Sequence, residues 1–208
     1  MQLTNAWNRF IYRLWSPVYD ATVNRFFAPG RKRAMEVLDL KAGERVLLMG
    51  VGTGADLPLL PHGVQAVGID LSSEMLARAR KKLPLPGRDV LLIQGDIQER
   101  LVAEASFDAA ILNLILSVVP SGEACWRETL RALRPEGRVV VFDKFLPDHT
   151  TPALGRRLMN QAATRLGTDI NRRLGDILAG SSCAVVRDEP SLLRGTYRVV
   201  LIRLRSGC

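Results

Sequence analysis

In the stretch VLLMGVGTGAD, glycines stand at Gly50, Gly52 and Gly54, directly after an apolar run. Glycine lets the backbone turn sharply and approach a ligand without interference from a Cβ. The spacing also satisfies the dinucleotide fingerprint if Ala55 stands for its last glycine. The loop alone therefore fits a nicotinamide cofactor, a sulfonium cofactor or a turn that binds nothing. Asp70, in GIDLS, closes the next apolar run, where an acid can accept bonds from both hydroxyls of a ribose. Ser72 behind it fits a helix N-cap, so Asp70 is not needed for that role. Asp96, in QGDIQ, is suited to accept a bond from an exocyclic adenine amine, with Ile97 against the ring. Asn113, in AAILNL, can present its backbone or its amide to the same ligand. Asp96 and Asn113 also read as turn formers or caps.

These residues must be delivered by a repeating element. Strands are predicted at Arg45 to Met49, Gln65 to Ile69, Asp89 to Gln94, Phe107 to Leu112 and Gly137 to Phe142. Helices are predicted at Arg31 to Leu38, Ser73 to Leu83 and Gly122 to Leu133. Runs such as AAILNLIL and RVVVF read as strands covered on both faces. Alternation of strand and helix argues for a parallel sheet with helices on both sides. Each candidate residue then reaches the carboxyl edge of one sheet, where ligands of open α/β folds bind. The tail differs: CAVVR and TYRVVLIRLR are separated only by DEPSLLRG. So short a connection cannot make a parallel crossover, and the two strands should pair as an antiparallel hairpin.

The chain's 208 residues suit one domain with a sizeable core. No apolar run approaches the ~20 residues that span a bilayer, and MQLTNAWNRF lacks the marks of a secretory signal. Cys125, Cys183 and Cys208 are odd in number and widely spaced, which gives neither a metal site nor a disulfide framework and points to the cytoplasm. The net charge of +8 favours anionic partners, although a basic chain need not have one. Leu3, Trp7, Phe10, Ile11 and Leu14 fall at helical spacing with Arg9 and Arg13 between them, before Pro17 ends the pattern. Such a helix fits an anionic membrane surface on the inner side of the membrane. It fits equally a lid packed on the domain.

In order along the chain, LLMGVGTG, GIDLS, QGDIQ, FDAAILNL and LRPEGRVVVFDKF resemble the motifs of the class I S-adenosylmethionine-dependent methyltransferases, from about Lys41 to the C-terminus. The closing hairpin supports the resemblance, because nicotinamide-binding domains lack it. The PVYD stretch and the overall layout are similar to the branch holding ubiquinone/menaquinone methyltransferases and bacterial phosphatidylethanolamine N-methyltransferases. The resemblance implies a Rossmann-like, mostly parallel seven-stranded sheet with helices on both faces and a C-terminal antiparallel hairpin. It places a methyltransferase domain at 41–208 behind a helical lid at 1–40, and S-adenosylmethionine as cofactor. Gly50, Gly52 and Gly54 would lie beside the methionine portion and Asp70 on the ribose. Leu71 and Met75 would flank the adenine, Asp96 and Ile97 would meet its edge, and Asn113 and Leu114 would border the sulfonium. Tyr19 matches a tyrosine over the cofactor, although it also reads as a packed aromatic near a turn. Met49 departs from the pattern, since an acid often stands there. Asp56 is a conceivable substitute, but Asp56-Leu57-Pro58 reads better as an N-cap with proline in the first turn.

The cofactor carries an activated methyl group, so the protein's task is alignment and electrostatics. The expected acceptor is an amine-bearing phospholipid such as phosphatidylethanolamine. The alternative is C- or O-methylation of a quinone precursor or another hydrophobic small molecule. A nicotinamide oxidoreductase and a non-enzymatic cofactor-binding protein are the readings of another class. An ammonium acceptor must lose a proton, to Tyr19, Asp143 or solvent. Lys144 and His149, after the fifth strand, and Asn171, Arg172 and Arg173 are candidates to hold a headgroup, the arginines because guanidinium suits phosphate. Their competing readings are a surface ion pair, a loop residue and a solvated helix face. NLILSVVP lacks the Asn-Pro-Pro-aromatic pattern of flipped-base amine methyltransferases, which argues against a nucleic-acid acceptor.

Overall fold

The computed structural model describes residues 24–148, 150, 154–165 and 167–205. Tyr19, His149 and the helical pattern from Leu3 to Leu14 lie outside the described residues. Within them the chain runs α1 (Asn24–Leu38), β1 (Arg45–Met49), β2 (Gln65–Asp70), α2 (Ser73–Arg80), β3 (Asp89–Gln94) and β4 (Phe107–Asn113). It continues through α3 (Gly122–Ala132), β5 (Leu133–Lys144), α4 (Leu154–Arg165), α5 (Leu174–Leu178), β6 (Cys183–Pro190) and β7 (Tyr197–Leu204). The seven strands form one sheet in the order β3-β2-β1-β4-β5-β7-β6. The first five pair in parallel, whereas β7 lies antiparallel to both β5 and β6. The expected hairpin is present, with β7 inserted between β5 and the edge strand β6.

Strand alternation divides the apolar side chains between two faces. Val46, Leu48, Ala109, Ile111, Val140, Phe142, Val199 and Leu201 face one layer, where Ala34 and Leu38 of α1 and Leu76 and Ala79 of α2 cover them. Leu47, Met49, Ala110, Leu112, Val139, Val141, Val200 and Ile202 face the other, under Cys125, Trp126 and Ala132 of α3 and Leu174 and Ile177 of α5. A core on both sides is what the continuous apolar runs require.

The elements differ from expectation mainly at their ends. α1 begins no later than Asn24 and carries Pro29 inside it. Proximity explains Gly30, since a Cβ there would lie 2.2 Å from the Phe142 ring. Phe27 packs edge-on to Phe142 and against Tyr197. The described part of segment 1–40 is thus a layer of the domain. Arg138 fixes its far end, donating to the Leu38 carbonyl and, through both terminal nitrogens, to Glu44. α2 stops at Arg80 rather than Leu83. β5 begins at Leu133 rather than Gly137, and its pairing with β4 shifts between Phe107 and Ala109.

Candidate active site

The sheet order reverses between β1 and β4, and a cleft opens beyond their carboxyl ends. It encloses about 830 Å³ of space, counting its open mouth. Gly50, Gly52, Asp70, Leu71, Met75, Asp96, Ile97, Asn113 and Leu114 all line it.

The glycine loop forms the cleft's floor. Val51 continues the ladder by donating its N–H to the Ile69 carbonyl at 2.9 Å. Gly50 has φ 71° and Gly52 has φ 56°, in the left-handed region that penalises a Cβ. A Cβ on Gly50 would lie 2.5 Å from Ile115 Cδ1, whereas one on Gly52 would meet nothing within 4 Å. Gly54 departs from its expected role and does not line the cleft. A Cβ there would lie 2.8 Å from Leu57 Cδ1 and 3.1 Å from Ala79 Cβ, so this glycine serves the packing of α2.

Asp70 ties the first two strand ends together. Its Oδ2 accepts the Gly52 N–H at 2.8 Å and its Oδ1 the Ser72 N–H at 2.9 Å. An ionised carboxylate has about four acceptor positions, which leaves capacity for hydroxyl donors. Burial pushes the Asp70 carboxyl above the usual carboxylate range, against the pull of these backbone donors. Ser72 caps α2 as expected, its Oγ accepting from the Met75 N–H at 3.2 Å. Asp96 is held by Gln98, whose backbone N–H donates to Oδ1 at 3.0 Å and whose side-chain amide reaches both oxygens. Gln98 Oε1 in turn accepts from the Ser121 N–H at 2.8 Å, which joins the third strand end to the fourth.

The fourth strand end carries strain. Leu114 has φ 59° yet keeps its N–H on the Phe142 carbonyl at 2.7 Å. From there Ile115, Val118, Val119 and Pro120 supply an apolar wall that no sequence signal had marked. Arg172 fastens this wall from behind, its guanidinium donating to the carbonyls of Leu116, Val119 and Pro120. A group so committed to main-chain oxygens is not placed to hold a phosphate, which corrects the reading of Arg172. Arg173 bonds the Thr150 carbonyl at 3.0 Å, and the Asn171 N–H bonds Asp169 Oδ1 at 2.8 Å. Neither lines the cleft.

Asp143 and Lys144 also lie away from the cleft. Asp143 has no exposed surface, and it accepts from the Ser117 N–H at 2.9 Å and the Ser117 hydroxyl at 2.8 Å. It is therefore not placed to take a proton from an arriving acceptor. Lys144 Nζ donates to Ser117 Oγ at 2.9 Å and lies 5.7 Å from the centre of the Tyr197 ring, and burial lowers its pKa.

Asp56 overturns the capping expectation. It occupies the N-cap position of the short 3-10 turn Leu57–Leu59, but its side chain makes no capping bond. Oδ2 instead accepts from Arg31 Nη1 at 2.6 Å, and Oδ1 from Asn113 Nδ2 at 2.9 Å. Arg31 and Asn113 both line the cleft. Arg31 Nε and Asn113 Oδ1 are buried without a partner among the described residues. Unsatisfied donors and acceptors in one cleft wall suit a ligand carrying both charges, as an amino-acid end does. With Asp70 and Asp96 beyond, the residues fit S-adenosylmethionine along the length of the cleft.

Comparisons with known proteins agree. A methyltransferase-domain family model matches residues 47–141. A phosphatidylethanolamine N-methyltransferase from Cereibacter sphaeroides is 31% identical over 196 residues, covering 93% of this chain and 96% of that protein. A demethylmenaquinone methyltransferase from Beutenbergia cavernae is 32% identical over 137 residues, covering 65% of this chain and 54% of that protein. A solved S-adenosylmethionine-dependent methyltransferase from Thermotoga maritima, 20% identical, superposes with a TM-score of 0.69 over 94% of this chain and 99% of its own. That last likeness shows the shared fold. The motifs, the inserted antiparallel strand and the end-to-end relative lead to one family: the chain belongs to the class I S-adenosylmethionine-dependent methyltransferases.

Proposed function

We propose that the enzyme methylates the amine of a phospholipid such as phosphatidylethanolamine. The observation that carries this is the likeness to the Cereibacter sphaeroides enzyme, which runs through 93% of this chain and 96% of that one. The likeness to the Beutenbergia cavernae quinone methyltransferase covers 65% of this chain and 54% of that protein. The net charge of +8 supports a working place on an anionic lipid surface. Among the described residues no helix is long and apolar enough to cross a membrane, so contact with lipid would be peripheral.

The bound cofactor supplies a methyl group already activated on sulfur. Everything else is positioning. Leu114 and the wall behind it border the place where the acceptor must arrive, and Arg172 keeps that wall from yielding. The acceptor nitrogen must be neutral before it attacks. With Asp143 buried, the proton goes to solvent or to Tyr19, the residue expected over the cofactor. Asn171, Arg173 and His149 remain the proposed contacts of the headgroup.

The test is transfer of a labelled methyl group to vesicles containing phosphatidylethanolamine, with demethylmenaquinone offered in parallel. Label in N-methylated phospholipid supports the proposal; label confined to the quinone overturns it.

A further inference from the structure

A second cavity opens at the same edge of the sheet as the cofactor cleft and shares no residue with it. Lys144 stands opposite Tyr197 in antiparallel register, so the turn Leu192–Gly195 before β7 lies beside the exit of β5. The groove between them encloses about 860 Å³, counting its open mouth. Phe145, Pro147 and Pro190 give it an apolar side, and Arg194, Thr196 and Arg198 a polar one. We infer that this groove binds a phosphate ester, with the two arginines and the Thr196 hydroxyl on the phosphate and the prolines against the organic part.

The donors are held ready in different ways. Arg198 Nε donates to Asp188 Oδ1 at 2.8 Å and Nη2 to Oδ2, which neutralises the one carboxylate among the lining residues. Its Nη1 keeps two N–H groups for a further acceptor. The Arg194 guanidinium has no ion pair or hydrogen bond among the described residues, and the Thr196 hydroxyl has none either. The lining therefore carries one uncompensated positive charge and donors that lack acceptors. Guanidinium forks and a hydroxyl suit the tetrahedral oxygens of a phosphate. Leu193 and Arg194 hold φ 51° and 54°, in the left-handed region where glycine is the easier residue. The turn thus presents Arg194 together with a Leu193 side chain that is 59% exposed. An arginine that only meets water gives no account of the groove beside it. The ester can arrive as a phospholipid headgroup or as a soluble molecule, and Leu193, placed to enter an acyl layer next to the phosphate, favours the headgroup.

The site is separate from the methyl acceptor and stands whichever acceptor is methylated, so binding alone tests it. The probes are glycerol 3-phosphate, by calorimetry, and phosphatidylcholine vesicles containing phosphatidylglycerol, by sedimentation. They are offered to the native enzyme, to Arg194→Gln and to Arg127→Gln, which removes an exposed arginine of α3 that does not line the groove. Arg194→Gln should weaken at least one probe by about 5- to 10-fold, and Arg127→Gln by less than about twofold. Arg194→Gly, which suits the positive φ, should lose the same affinity. All three variants should bind S-adenosylhomocysteine as the native enzyme does. A loss seen only with vesicles, and deepened by Leu193→Ser, assigns the ester to lipid; a loss with glycerol 3-phosphate assigns it to a soluble ester. Equal losses in Arg194→Gln and Arg127→Gln, or failure of the native enzyme to bind either probe, overturn the site.

Discussion

The backbone N–H of Gly52 donates to Asp70 Oδ2 at 2.8 Å, so the loop after β1 is held open by the acid that ends β2. The carboxylate proposed to meet a ribose is thus also the one that shapes the glycine loop. On that proposal, binding and loop geometry share a single side chain.

Titration of Asp70 should report this double role. Burial raises its folded-state pKa above the unfolded value. The folded protein then holds a proton that the unfolded chain has lost, and stability falls as pH rises from the unfolded towards the folded value. Denaturant titration across the acid range should show that decline in the native protein and a flatter profile in Asp70→Asn. Affinity for S-adenosylhomocysteine should move the other way, weakening as pH falls, with its onset above the range of an ordinary aspartate.

Gly50→Ala and Gly52→Ala should separate stability from binding. At Gly50 a Cβ would collide with Ile115 at 2.5 Å as well as strain the backbone, and a loss of about 3 kcal/mol is expected. At Gly52 only the positive φ opposes alanine, so the loss should be about 1–2 kcal/mol. The methyl group would then project into the cleft and reduce cofactor affinity. Chemical denaturation and calorimetry on both variants check the ordering.

Arg172→Met leaves three carbonyls of the Leu116–Pro120 wall without their donor. A loss of about 2–3 kcal/mol follows, and cofactor affinity should fall with it because Val119 and Pro120 line the cleft. Melting temperature with and without S-adenosylhomocysteine measures both. Protection of the native protein by inorganic phosphate, absent in the variant, would instead restore the anion-binding reading.

Met49→Leu should change cofactor affinity less than about twofold and cost under about 1.5 kcal/mol, since the side chain belongs to the core. A large loss of affinity at unchanged stability would place Met49 in the site.

The legible parts of the site are those that a strand delivers to its own end. Asp70, Asp96 and Asn113 each close an apolar run, and order along the chain is enough to bring them together. Partnerships between distant segments were not legible. Asp56 looks like a cap because Pro58 follows it, yet its partners are Arg31, 25 residues away, and Asn113, 57 residues away. Arg172 reads as a charge on a helix face and instead closes the wall through carbonyls 52 to 56 residues distant, which offer no side-chain signature. Gly54 shares the pattern of its neighbours but answers to the packing of α2. The fold suffered less, because burial on both faces of the sheet writes a near-continuous apolar run into its central strands.

The most direct measurement is calorimetric titration of the native enzyme and Asp70→Ala with S-adenosylhomocysteine and, separately, NAD. One equivalent of S-adenosylhomocysteine should bind the native enzyme, and Asp70→Ala should weaken that binding by about 10- to 100-fold. NAD should neither bind tightly nor compete. Tight NAD binding, or S-adenosylhomocysteine binding indifferent to Asp70, would contradict the assignment of the cleft.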